Sequence, residues 1–174
     1  MTAGARPLRL FFALWPDAAA RAALERWSAA IHRAAGGRAT RGDSIHMTLA
    51  FLGDCDPERL DGLKAGAGVR VRPFDLVLDE AGFWKHNRIA WAGATQTPAA
   101  LEALVSDLRA ALAGARFAFD PKPFVSHVTL VRKAQPGFVM PALDPIRWQV
   151  TDFVLVRSVV RPAGSDYLVD ARWG

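Results

Sequence analysis

Two short segments of this chain repeat one another. Ile45–Gly53 reads IHMTLAFLG and Ser126–Lys133 reads SHVTLVRK, so His-x-Thr-Leu occurs twice, with its histidines at positions 46 and 127. Each segment is an apolar run long enough for one strand and too short for an ordinary helix. Successive side chains of a strand alternate faces, which puts His46 and Thr48 on one side and Met47 and Leu49 on the other. His127 and Thr129 repeat that arrangement in front of Val128 and Leu130. A polar pair on an apolar strand needs hydrogen-bond partners, a ligand or water. Two such pairs point to a duplicated half-site, and the fold must bring two matched strands together. The remaining histidines, His32 and His86, have no comparable context.

The elements around these strands can be read in order. Arg9–Trp15 reads as a buried strand. Asp17 then fits the N-cap of a helix whose stripe is Ala20, Leu24, Trp27 and Ile31, ended by Gly36-Gly37. A basic, polar connector over 38–44 leads into the first motif. Asp54 and Pro57 start a modest helix holding Leu60 and Leu63. Phe74–Leu78 reads as a strand with Arg88–Ala92 as its hairpin partner; residues 83–87 between them, aromatic and basic, could stack a base or cap the core, and the cap is favoured. Thr97 and Pro98 open the clearest helix, carrying Leu101, Leu104, Val105, Leu108 and Leu112. Asp120–Pro123 is a turn delivering the second motif. Residues 148–160 and 167–173 read as two final strands. Helices and hairpins mix without a dividing linker, which favours an α+β fold with mostly antiparallel sheet.

The 174 residues amount to one domain's worth of chain. No apolar run approaches the ~18 residues of a membrane span. The stretch Leu10–Trp15 is too short for a signal peptide, and the single Cys55 cannot form an internal disulfide. Together these lead us to expect a cytoplasmic protein. Cys55 follows the first motif, yet two histidines explain a site better than one thiol does. The net charge is +5, and 18 of the 22 basic residues are arginine. Such an excess favours polyanion partners.

The pair HMTLAFLG and HVTLVR resembles the signature of the two-histidine (2H) phosphoesterases, and most of all the RNA 2′,3′-cyclic phosphodiesterases once described as 2′-5′ RNA ligases. Arg9–Leu14 is similar to the opening strand of that family, and Ser158–Tyr167 to its closing hairpin. Ser126 stands where the family often has proline. The resemblance implies one bilobal domain over 1–174, duplicated about a pseudo-twofold. Antiparallel sheets would line a central cleft, with helices outside.

Two histidines suit an acid–base pair, one accepting a proton while the other donates. Opening a cyclic phosphodiester needs both: one deprotonates water, the other protonates the departing ribose oxygen. Thr48 and Thr129, on the same faces, can donate hydrogen bonds to the non-bridging oxygens as charge develops. By the resemblance His46 is the acid and His127 the base, Arg132 holds phosphate, and Phe51 is the aromatic at the equivalent site of the other half, a candidate for base stacking with core packing as the rival role. Phe51 and Arg132 each lie five positions after their histidine, so strict alternation would turn them away. Bringing them to the site requires each strand to end or bulge near Ala50 and Val131. The implied partner is RNA with a 2′,3′-cyclic phosphate end, such as a tRNA-like fragment or an oligonucleotide, and the product a 2′-phosphate. Reversible 2′-5′ ligation comes with the family. The protein is expected to act as a monomer, without cofactor, metal or membrane.

Rival classes find less support. No carboxylate or cysteine stands at metal-ligand spacing around either motif, and no Gly-rich loop suits a nucleoside triphosphate. A non-catalytic module that binds RNA ends is the alternative. The facing ring nitrogens of His46 and His127 are expected roughly 5–8 Å apart, with one phosphate between them.

Overall fold

The computed structural model describes residues 6–174. The run LRLFFAL forms β1 (Leu8–Leu14), buried on both faces from Leu10 onward. Asp17 caps α1 (Ala18–Ala35) by accepting from the Ala20 N–H at 2.8 Å. The expected stripe of Ala20, Leu24, Trp27 and Ile31 is buried, and Gly36, at φ 62°, ends the helix. The connector is not all loop. It contains a two-residue strand, β2 (Arg38–Ala39), and a tight turn at Gly42–Ser44. The first motif forms β3 (Met47–Cys55). A turn at Pro57–Arg59, capped by Asp56 rather than by Asp54, which still lies on β3, leads into α2 (Leu60–Gly66).

The expected hairpin is built differently. β4 (Phe74–Leu78) is followed, after Asp79 alone, by β5 (Glu80–Trp84), and it is β5 that pairs with β6 (Ile89–Gly93). Asp79 anchors this crossing from one sheet to another. Its N–H donates to the Gly93 carbonyl, and its carboxylate accepts from both the N–H and the hydroxyl of Thr95. Then come α3 (Ala99–Gly114), β7 (His127–Arg132), β8 (Ile146–Val150), β9 (Phe153–Arg161) and β10 (Gly164–Trp173). The first helical residue after Pro98 is Ala99, so Thr97 stands one position outside the cap. The single strand expected over 148–160 is two: β8 pairs with β4, whereas β9 turns away after Thr151-Asp152 to join β1 and β10.

The fold is α+β. One sheet runs β10-β9-β1-β3, a second runs β2-β7-β6-β5, and β4 with β8 forms a two-stranded ribbon. Every pairing is antiparallel. The inner faces share one core, in which Phe12, Phe153 and Trp148 are the largest fully buried side chains. Burial of each such residue contributes roughly 1.5–3 kcal/mol, an upper figure because real unfolded chains are already partly collapsed. α1 packs on β7 and β8, where the Trp27 indole donates to the Asp144 carbonyl. On its far face the first sheet carries a smaller apolar cluster of Phe11, Ala13, Val154 and Val156, edged by Trp15, Phe51 and Tyr167. No helix among the described residues is long and apolar enough to cross a membrane.

Candidate active site

Both motif strands bulge at their leucine. In the pairing of β1 with β3, Phe12 faces Ala50 and Ala13 faces Thr48, so Leu49 is the extra residue. In the pairing of β6 with β7, Ala90 faces Val131 and Trp91 faces Thr129, so Leu130 is extra. Of the two routes open to Phe51 and Arg132, a strand end or a bulge, the structure takes the bulge, one residue earlier than expected. They leave two consecutive buried residues in each strand, Leu49-Ala50 and Leu130-Val131. Thr48 and Phe51 consequently share a face, as do Thr129 and Arg132, and all four line one cleft of about 510 Å³. The Leu130 bulge is held from outside: its carbonyl accepts from the Thr40 N–H and from the buried Ser28 hydroxyl, both at 2.8 Å. The Thr40 hydroxyl donates to the Thr129 carbonyl.

His46 stands just ahead of β3, pinned between Ile45 and Met47, both fully buried. Its Nδ1–H donates to the Ser44 carbonyl at 2.7 Å, because a carbonyl can only accept. In the neutral ring Nε2 then accepts, and the Thr48 hydroxyl donates to it at 3.1 Å. His127, first residue of β7, repeats the device. Its Nδ1–H donates to the Val125 carbonyl at 2.8 Å, again two residues back, which leaves Nε2 as the free base. The two motifs touch directly, since the Ser126 hydroxyl lies 3.7 Å from the Met47 sulfur. The residue before one histidine thus meets the residue after the other. His46, Thr48, Phe51, Thr129 and Arg132 form part of the cleft wall. His127 flanks that wall, two residues from Thr129 on the same strand face.

Aromatic rings support each histidine, a feature the motif itself does not advertise. Trp15 stacks on His46 at 5.6 Å, with Phe11 and Tyr167 at 4.9 and 5.3 Å. Trp84 meets His127 edge-on at 4.8 Å. For residues 83–87 a cap on the core was favoured over a base-stacking role, and Phe83 does pack against the core. Trp84 points the other way, toward the site. The signal available in the sequence was the position of Trp84 on the strand face opposite to Phe83, legible only once β5 is placed correctly.

Burial pushes the His46 pKa down to about 4, and the charges of Arg132 and His127 push the same way, against the hydrogen bond to Ser44. Burial and Arg132 lower His127 as well. An unfolded histidine titrates near 6.5, so between about pH 6.5 and 4 the unfolded chain binds the extra proton. The stability that neutral His46 confers above pH 6.5 is therefore lost as pH falls through that window, at up to about 1.4 kcal/mol per pH unit. Urea unfolding at pH 7 and pH 5 is expected to show this loss, and His46→Asn to show less of it. An equal pH dependence in the two proteins would refute the assignment to His46.

The cleft wall includes Arg9, Arg38, Arg41 and Arg132 and no carboxylate. Among the described residues, no group of three or more histidine, cysteine or acidic side chains gathers where a metal could sit. Such a site offers paired proton-transfer groups, hydroxyl donors and cationic charge, a combination suited to a phosphate ester.

Comparison with known proteins agrees with this chemistry. The model of the family described as LigT like phosphoesterase matches residues 14–91. An RNA 2′,3′-cyclic phosphodiesterase of Escherichia coli is 35% identical over 170 residues, covering 96% of each chain. A protein of the same description from Thermus thermophilus is 31% identical, covering 93% of this chain and 87% of the relative. The crystal structure of E. coli LigT complexed with 3′-AMP superposes with a TM-score of 0.85 at 34% identity, over 96% of this chain and 97% of that one.

Proposed function

The chain belongs to the LigT-like phosphoesterases, and from that membership we propose that it hydrolyses the 2′,3′-cyclic phosphate at an RNA end by acid–base exchange between His46 and His127. The observation that carries the mechanism is the mirrored anchoring of the two rings. Each donates Nδ1–H to the carbonyl two residues back, so each has Nε2 left for chemistry beside an arginine-rich cleft.

In the proposed step His127 Nε2 takes a proton from water as the oxygen bonds to phosphorus. The bond from phosphorus to the 3′ oxygen breaks, and His46 gives its Nε2 proton to that oxygen. The products are a 2′-phosphate and a free 3′-hydroxyl. His46 must enter protonated, and the bound anion favours this by opposing the burial that keeps the free ring neutral. Once Nε2 carries a proton, the Thr48 hydroxyl no longer donates to it and can turn to a non-bridging oxygen. Thr129 and Arg132 meet the same phosphate, where donors fixed in advance stabilise developing charge. Phe51, with the Arg9 guanidinium 4.9 Å from its ring centre, offers a platform for the base. With a 5′-hydroxyl in place of water, the same exchange joins two RNA ends through a 2′-5′ linkage. The site is complete within one chain, which supports action as a monomer, and the lone Cys55 suits the cytoplasm.

Product analysis on a short RNA with a defined cyclic end tests this. The expected outcome is a 2′-phosphate, formed at an undiminished rate in excess chelator. A 3′-phosphate would reverse the choice of leaving oxygen. Activity restored only by a divalent ion would reveal a metallo-hydrolase, and binding without turnover an RNA-end-binding module.

A further inference from the structure

One cleft residue has no task in that mechanism. β2 is two residues long, yet it sets Arg38 directly opposite Arg132 in the register of the second sheet, and both line the cleft. Like charges opposite one another across two strands repel. Neither guanidinium has an ion-pair partner among the described residues. The other two cleft arginines do: Arg41 is held by Asp43 and Asp166 at 3.2 and 3.0 Å, and Arg9 lies 4.0 Å from Asp54.

The repelling pair is built with care. Gly36 stops α1, and Gly37, at φ 80°, runs so close to β7 that a Cβ there would stand 2.5 Å from the Arg132 carbonyl oxygen. Only glycine allows both that conformation and that approach. Thr40 then ties the far end of β2 to β7 through its N–H and its hydroxyl. A nucleoside 2′,3′-cyclic phosphate carries one negative charge and can balance only one of the two cations. An RNA end brings a second phosphate, one nucleoside away.

We propose that Arg38 determines specificity: with Arg132 engaged by the reacting phosphate, Arg38 holds the neighbouring phosphate on the 5′ oxygen of the terminal nucleoside. This rests on the phosphodiesterase reading above and names its substrate class, an RNA end in preference to an isolated cyclic nucleotide.

Three substrates test it with the intact protein: a nucleoside 2′,3′-cyclic phosphate, the same compound with a 5′-phosphate, and a dinucleotide with the same cyclic end. The native protein is expected to favour the last two in kcat/KM. Arg38→Gln is expected to cut that preference about tenfold, as loss of one charged hydrogen bond would, through KM rather than kcat. Arg38→Lys should keep most of it. On the dinucleotide, the slope of log kcat/KM against log salt should become shallower by about 0.7, the share of one phosphate contact on a single strand. A drop on both phosphorylated substrates supports contact with any 5′-phosphate, and a drop on the dinucleotide alone supports contact with the internucleotide diester. An unchanged preference, or equal loss on all three substrates, overturns the assignment. Native protein inert on all three would sink the hydrolysis reading itself, and this inference with it.

Discussion

Replacing His127 with alanine is expected to lower kcat on an RNA 2′,3′-cyclic phosphate by about 10²–10⁴-fold, the usual contribution of one positioned acid or base. His46→Ala is expected to fall in the same range. The His127 variant is the cleaner experiment. Its ring has one aromatic neighbour, Trp84, and sits beside the cleft wall. His46 stands among three aromatic rings and ties Ser44 to Thr48, so its loss also leaves a gap. Near-ultraviolet dichroism and urea unfolding should accompany both assays, to separate lost chemistry from lost packing. The double variant should be far less impaired than the product of the two single losses, because groups acting as a unit are not additive. Near-normal turnover by either folded single variant would end the acid–base assignment.

Thr129→Val and Arg132→Gln carry the second large effect. Removing one fixed donor to developing charge costs about 10²–10³ in kcat where such donors have been tested. The Thr129 hydroxyl makes no hydrogen bond among the described residues, so valine removes the donor and little else. Thr48 is less clean, since its hydroxyl also bonds His46 Nε2. Arg132 has a further consequence, because its charge lowers both histidines. Arg132→Gln should therefore raise the pKa of each ring while it slows the reaction. Proton titration of the ring resonances would check the first effect, and single-turnover rates the second. A Thr129→Val protein with undiminished kcat would remove that hydroxyl from the transition state.

Much of this was legible in the sequence, for identifiable reasons. Helix α1 could be placed from Asp17, the spacing of Leu24, Trp27 and Ile31, and the paired glycines, because each signal is local. The motif strands could be placed because a polar pair on an apolar run admits few explanations. Phe51 and Arg132 were reachable only by supposing that each strand ends or bulges, and which of these happens depends on partner strands that local sequence does not name. The same limit produced the wrong partner for Phe74–Leu78. Arg88–Ala92 is a plausible hairpin strand, but β5 lies between, and β4 finds its partner in β8, some 70 residues on. Residues 148–160 read as one strand because apolar character runs through them, although Thr151-Asp152 divides two sheets. The aromatic rings around His46 were hidden for a related reason. Phe11 belongs to a strand buried on both faces, and its neighbour Phe12 enters the core instead.

The bulges at Leu49 and Leu130 bear on how such a sequence can drift. A pleated strand keeps its sidedness as a parity, odd positions to one side and even to the other. One extra residue in each half reverses that parity after histidine and threonine have been presented and before Phe51 or Arg132 arrives, and β3 carries a second extra residue, Leu52, just beyond Phe51. The number of residues in the motif is thus as much a part of the site as their identity. An exchange of side chains within it alters chemistry at one position. Gain or loss of a single residue would swap the wet and dry faces along the rest of the strand. Side-chain exchange within the interval leaves that parity intact, whereas a change in its length does not.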